Sequence, residues 1–73
     1  MTARGKRMQT TALDISETGL RIEAVPGLQV GDVVDIEWVT GERLRGRLVW
    51  LRNGQSGVEL DAAMPAQILR EAA

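Results

Sequence analysis

Apolar and polar residues alternate along most of the chain. Leu13 and Ile15 flank Asp14, and Leu20 and Ile22 flank Arg21. Val34, Ile36 and Trp38 alternate with Asp35 and Glu37. Leu44, Gly46, Leu48 and Trp50 alternate with Arg43, Arg45 and Arg47, and Val58 and Leu60 flank Glu59. A period of two over short runs predicts strands with one buried face, so these runs predict an antiparallel all-β domain of about five strands. Turn chemistry separates them: Glu17-Thr18-Gly19, then Pro26-Gly27 with Gly31-Asp32, then Thr40-Gly41-Glu42, then Asn53-Gly54. The tail from Met64 to Ala73 differs. Pro65 ahead of Ile68 and Leu69 predicts a short closing helix.

Facing predicts the register of the central hairpin. Inward Trp38 should meet inward Leu44, and Ile36 should meet Gly46, around a three-residue loop from Thr40 to Glu42. The same register sets Glu37 opposite Arg45 and Asp35 opposite Arg47. The outward stripe Arg43, Arg45, Arg47 then reads as a paired surface. Trp38 and Trp50 share strand faces with aliphatic residues and are expected in the core; Leu13, Ile22, Ile36 and Trp50 should line it together. Val49 and Leu51 face outward and hint at a contact surface.

Composition narrows the functions available. At 73 residues the chain is one small domain with a limited core, and Phe and Tyr are absent. Nine Lys+Arg against ten Asp+Glu give a net charge of −1, which argues against DNA or RNA binding and against a polybasic membrane-surface protein. No His or Cys is present, so a His general base, a His/Cys metal site and a disulfide framework are excluded. The longest apolar runs are three or four residues, so no bilayer-spanning segment or signal peptide is expected, and the protein reads as cytoplasmic. No catalytic residue, metal or cofactor is expected: Ser16 has only Asp14 near it in sequence, and a lone Ser/Asp pair is not an activated nucleophile.

Residues 1–8 carry Arg4, Lys6 and Arg7 with no acid and read as a flexible basic segment ahead of a β-domain over 9–73. The most informative stretch is Asp14-Ile15-Ser16-Glu17-Thr18-Gly19. Asp14 and Ser16 project from one face of a strand end. A carboxylate can accept two hydrogen bonds from a planar N–H pair such as a guanine edge, and Gly19 lets the chain turn and a ligand approach. On spacing alone the same two side chains read first as stabilising the turn, as Asx and Ser side chains often do.

Asp14-x-Ser16-x-x-Gly19 matches the D/N-x-S-x-x-G signature of the PilZ family. Its continuation Gly-Leu-Arg-Ile-Glu, the later Gly46-Arg47-Leu48-Val49-Trp50 and the closing Gly57-Val58-Glu59-Leu60 also resemble that family. The resemblance spans roughly residues 9 to 70. It implies a small β-barrel that binds the bacterial second messenger cyclic di-GMP, with Asp14, Ser16 and Gly19 as ligand-binding residues. It further implies an R-x-x-x-R motif ahead of the first barrel strand. The basic residues here, Arg4 and Arg7, are spaced by three and lie seven to ten positions before Asp14. The first strand and the arginine motif therefore read as missing or vestigial. Arg4 and Arg7 are candidates to order onto ligand phosphates; their alternative is a solvated basic tail. A barrel lacking a strand exposes two edges, which predicts a homo-oligomer joined edge to edge. Two functions follow: a cyclic di-GMP receptor acting on an unidentified effector protein, or an adaptor without a nucleotide site that works by protein–protein contact. A third reading is a fragment of a longer barrel.

Overall fold

The computed structural model describes residues 1–72; Ala73, the last residue of the expected helix, lies outside the described residues. The elements in chain order are β1 (Thr2–Ala3), β2 (Lys6–Arg7), β3 (Ala12–Ile15), β4 (Gly19–Glu23), β5 (Val33–Glu37), β6 (Arg43–Arg52), β7 (Gln55–Leu60) and α1 (Ala66–Ala72). All strands join one antiparallel sheet in the order β2-β1-β5-β6-β7-β4-β3. The all-β class and the short C-terminal helix are as the periodicity predicts. Among the described residues the strands number seven rather than about five, because two-residue strands at the N-terminus carry no readable alternation.

The sheet does not close, but chain length forces it to curl. Arg7 on one edge and Ala12 on the other are joined through residues 8–11, a reach of at most about 18 Å. A flat sheet of this order would hold its edges roughly 29 Å apart. Along the returning segment, Thr10 Oγ1 donates to the Glu23 carbonyl at 2.8 Å, and the Glu23 N–H donates to the Thr11 carbonyl at 3.0 Å. Inside the curl lie Leu20, Ile22, Val34, Ile36, Leu44, Leu48 and Val58, with Ala3, Leu28, Met64 and Ile68 from other segments. Ile68 is fully buried, so α1 caps this core with its apolar side. Both sheet edges are open but short. β2 has two residues, and β3 has four with a bulge, which leaves a second copy little backbone to pair with.

Three expectations are corrected. The first is the central register. Ile36 pairs with Leu44, Asp35 with Arg45 and Val34 with Gly46. The loop comes one residue earlier than predicted: the Trp38 N–H donates to the Glu42 carbonyl at 2.8 Å and the Gly41 N–H to the Trp38 carbonyl at 2.8 Å. Gly41, at φ 91°, closes the turn as a three-residue hairpin loop requires, and Val39 is 96% exposed at its tip. Facing is preserved because the pairing moves by two. The ion partners change accordingly: Asp35 meets Arg45 at 3.4 Å instead of Arg47.

The second correction is the N-terminus. Residues 1–8 do not form a loose segment here. Arg4 and Gly5, at φ 52° and 76°, make a tight turn between β1 and β2, and β1 pairs with β5 through Thr2–Asp35 and Ala3–Val34. Ala3 is 2% exposed. Arginine at a left-handed turn position is uncommon, which is why the turn is hard to read from sequence.

The third concerns two core residues. Leu13 is 38% exposed, because the pairing slips between Ala12 and Asp14 and leaves Leu13 as the bulged residue. Trp50 is only half-buried and lies outside the core cluster. A second bulge between Leu48 and Trp50 is the cause. Leu48 pairs with inward Val58, yet Trp50 pairs with Gly57, so one extra residue turns the indole to the outer face. Ile22 and Ile36 are buried as expected.

One core group lacks a partner. Ser56 is fully buried between Ile22 and Leu51 on the neighbouring strands, and its Oγ makes no hydrogen bond among the described residues. Ser56→Ala is therefore expected to leave stability unchanged or raise it by up to about 1 kcal/mol. Urea unfolding reads this directly, and a marked loss would reveal a hidden acceptor.

Candidate functional site

The outer face of the sheet carries a row that crosses four strands. Asp14 on β3 lies opposite Arg21 on β4, Arg21 opposite Gly57 on β7, and Gly57 opposite Trp50 on β6. The next row sets Gly19 beside Glu59 and Glu59 beside Arg47. A shallow depression of about 430 Å³ lies over these rows, lined by Asp14, Ser16, Thr18, Arg21, Trp50 and Glu59 among others.

The bend from Asp14 to Gly19 forms one rim. Asp14 Oδ1 accepts the Ile15 N–H at 3.0 Å. The Ser16 N–H and Oγ–H both donate to the Gly19 carbonyl, at 2.9 and 3.3 Å. The turn is pinned from outside as well. The Leu60 N–H donates to the Thr18 carbonyl at 2.9 Å, and the Met64 N–H to the Glu17 carbonyl at 2.8 Å. Asp14 and Ser16 thus stabilise the turn and still present unused lone pairs: Asp14 keeps Oδ2, and Ser16 keeps acceptor capacity on Oγ.

Gly19 contributes differently from the expectation. It does not adopt a positive φ. A Cβ at this position would run into the Val58 carbonyl oxygen, so glycine is required for close approach of β4 to β7 rather than for turning. Gly57 acts in the same way toward the other rim. Its missing side chain makes room for the Trp50 indole, which a Cβ there would overlap. Arg52 lies over that indole at 5.1 Å from the ring centroid, within cation–π range.

Arg21 occupies the middle of the row. Its NH1 donates to Gln55 Oε1 at 3.3 Å. Its Nε is buried and has no acceptor among the described residues. Asp14 is its cross-strand neighbour, yet the two make no ion pair within 4.0 Å.

Of the residues singled out in the sequence, Asp14, Ser16 and Gly19 come together on this depression. Arg4 and Arg7 do not. Arg4 donates through NH1 to the Gly27 carbonyl at 3.1 Å and lies 3.9 Å from Asp32, while Arg7 pairs with Glu37 at 3.2 Å. Both brace the N-terminal hairpin against the loop before β5 and against β5 itself. Arg21 and Gly57 were not singled out as site residues, and Trp50, a possible base-stacking platform, was assigned to the core instead. A glycine inside a strand, next to inward Val58, was the available sign of a close approach; nothing local announced the bulge that exposes Trp50.

An open, curled sheet with a polar bend beside a shallow outer depression defines a small all-β binding domain. A model of the PilZ domain matches residues 1–72, and the chain belongs to that family, a family of cyclic di-GMP-binding type whose members are binding and adaptor domains. The match includes the N-terminal hairpin. No curated protein and no solved structure matches the chain significantly. Among the described residues no helix is long and apolar enough to cross a membrane.

Proposed function

We propose that the protein is a cyclic di-GMP receptor that passes nucleotide occupancy to an effector protein in the bacterial cytoplasm. The observation that carries this reading is the position of the family's D-x-S-x-x-G bend on the rim of the outer depression, with Asp14 and Ser16 directed to the same side. Asp14 is suited to accept the N1–H and N2–H pair of a guanine, and Ser16 to hydrogen-bond beside it. Gly19 sets this rim close against β7.

A second reading, an adaptor that acts without nucleotide, is favoured by one observation. Arg4 and Arg7 are already engaged with Gly27, Asp32 and Glu37, and neither lines the depression that holds Asp14.

Calorimetric titration with cyclic di-GMP, with GTP as control, separates the two. Binding is expected for cyclic di-GMP, and heat indistinguishable from the GTP control favours the adaptor. Asp14→Ala should weaken binding about tenfold or more, the loss of roughly 1.4 kcal/mol, while Glu23→Ala leaves it unchanged. Equal affinities for the two variants would remove the role assigned to Asp14.

A further inference from the structure

The basic residues expected to meet a ligand phosphate are tied down elsewhere, but the depression holds a cation of its own. Arg21 stands at its centre, between the Asp14 rim and the Trp50 rim. Three observations set it apart from the surface arginines. Its guanidinium is held at one end, by NH1 on Gln55 Oε1. Its Nε–H is withdrawn from water with nothing to receive it, an arrangement that leaves a charged donor group under-satisfied. Its neighbouring carboxylate, Asp14, is turned to its own backbone at Ile15 and does not neutralise it.

We propose that Arg21, braced by Gln55, is the anion-binding residue of this depression and receives a phosphate oxygen pair of its ligand. A guanidinium offers two parallel N–H groups to a phosphate, which suits the Nε and NH2 edge that Gln55 leaves unused. Gln55 is the one hydrogen-bond partner of the head group among the described residues, so turning this edge toward the rim breaks a single hydrogen bond. The division of labour is then one of chemistry: an acceptor, Asp14, for N–H groups of a base, and a donor, Arg21, for the phosphate one cross-strand neighbour away. The proposal rests on the receptor reading for the identity of the ligand, but not for the anion contact itself.

The test follows the arginine Nε–Hε signals of the full ¹⁵N-labelled chain by NMR, with inorganic phosphate and cyclic di-GMP as separate probes. The Arg21 signal is assigned in the wild-type chain by its through-bond connection to the Arg21 backbone amide, and its loss in Arg21→Lys confirms it. Both probes should move the Arg21 signal, while those of Arg4 and Arg7 stay in place. Arg21→Gln should lower cyclic di-GMP affinity at least tenfold, and the double variant Arg4→Gln/Arg7→Gln should keep it within twofold. Arg21 lies on the outer face, and circular dichroism checks that its variants fold; the wild-type titration decides the matter even where they do not. If cyclic di-GMP binds but Arg21→Gln binds equally well, the inference fails and the receptor reading stands. If phosphate moves Arg21 and cyclic di-GMP does not bind, the anion site stands and the receptor reading fails. If neither probe moves Arg21, or phosphate moves all three arginines alike, Arg21 is an ordinary surface cation and the proposal is overturned.

Discussion

Gly46→Ala is expected to lose a large share, at least about 2 kcal/mol, of the domain's folding free energy. Gly46 sits inside β6, paired with Val34 on one side and Leu60 on the other. A Cβ there would overlap the Glu59 carbonyl oxygen and approach Val58 Cγ1 to 2.9 Å. A long side chain could swing aside, but a carbonyl in a paired strand cannot. The added methyl must push β6 and β7 apart, breaking the pairing that holds both in place. Inserting an atom group into a packed interior costs about 1–3 kcal/mol even where neighbours can relax. A domain of this size has only about 4–11 kcal/mol in total. The urea midpoint of Gly46→Ala should therefore fall by the equivalent of at least about 2 kcal/mol. Gly19→Ala meets the same obstacle at the Val58 carbonyl and should show a similar loss, with the Asp14–Ser16 rim displaced. Gly27→Ala provides the comparison. Its position is open to solvent, so only its φ of 90° resists a side chain, at about 1 kcal/mol. Equal midpoints for Gly46→Ala and Gly27→Ala would show that β6 and β7 are not packed as described.

Deleting residues 1–7 is the second large effect. A basic tail could be removed without cost to the fold, and its loss would register only in ligand binding. The hairpin cannot. It supplies Ala3 to the core, covers the backbone of β5 at Val34 and Asp35, and brings Met1 against the cluster. Its removal turns β5 into an unprotected edge beside the fully buried Val34. A loss of about 2–4 kcal/mol is expected, which for a domain of this length lowers the melting temperature by roughly 10–30 °C. The double variant Arg4→Ala/Arg7→Ala keeps the strands and removes only exposed charge contacts, worth about 1 kcal/mol or less. The contrast between the two separates strand pairing from charge. A deletion variant that melts with the parent chain would restore the loose-tail reading.

The hydrophobic pattern and the turn residues were enough to establish the all-β class, the strands from Leu20 onward, the Asn53-Gly54 hairpin and the closing helix. The bend at Asp14, Ser16 and Gly19 was legible for the same reason. Each is encoded within a few neighbouring residues, by side-chain alternation or by a local backbone preference. The face on which Trp50 and Leu13 lie was decided elsewhere. Each sits at a bulge, and a bulge is chosen by how the partner strand packs, not by the strand that carries it. One inserted residue reverses every side chain beyond it, so the alternation that places Leu48 correctly misplaces Trp50. The partnership of Asp14 with Arg21 and of Gly57 with Trp50 likewise exists only across strands, because the order β6-β7-β4-β3 brings together residues up to 45 positions apart. The chain thus carries its strands and its polar bend in local chemistry, while the composition of the outer depression arises from long-range register, where packing of the whole sheet selects one alignment.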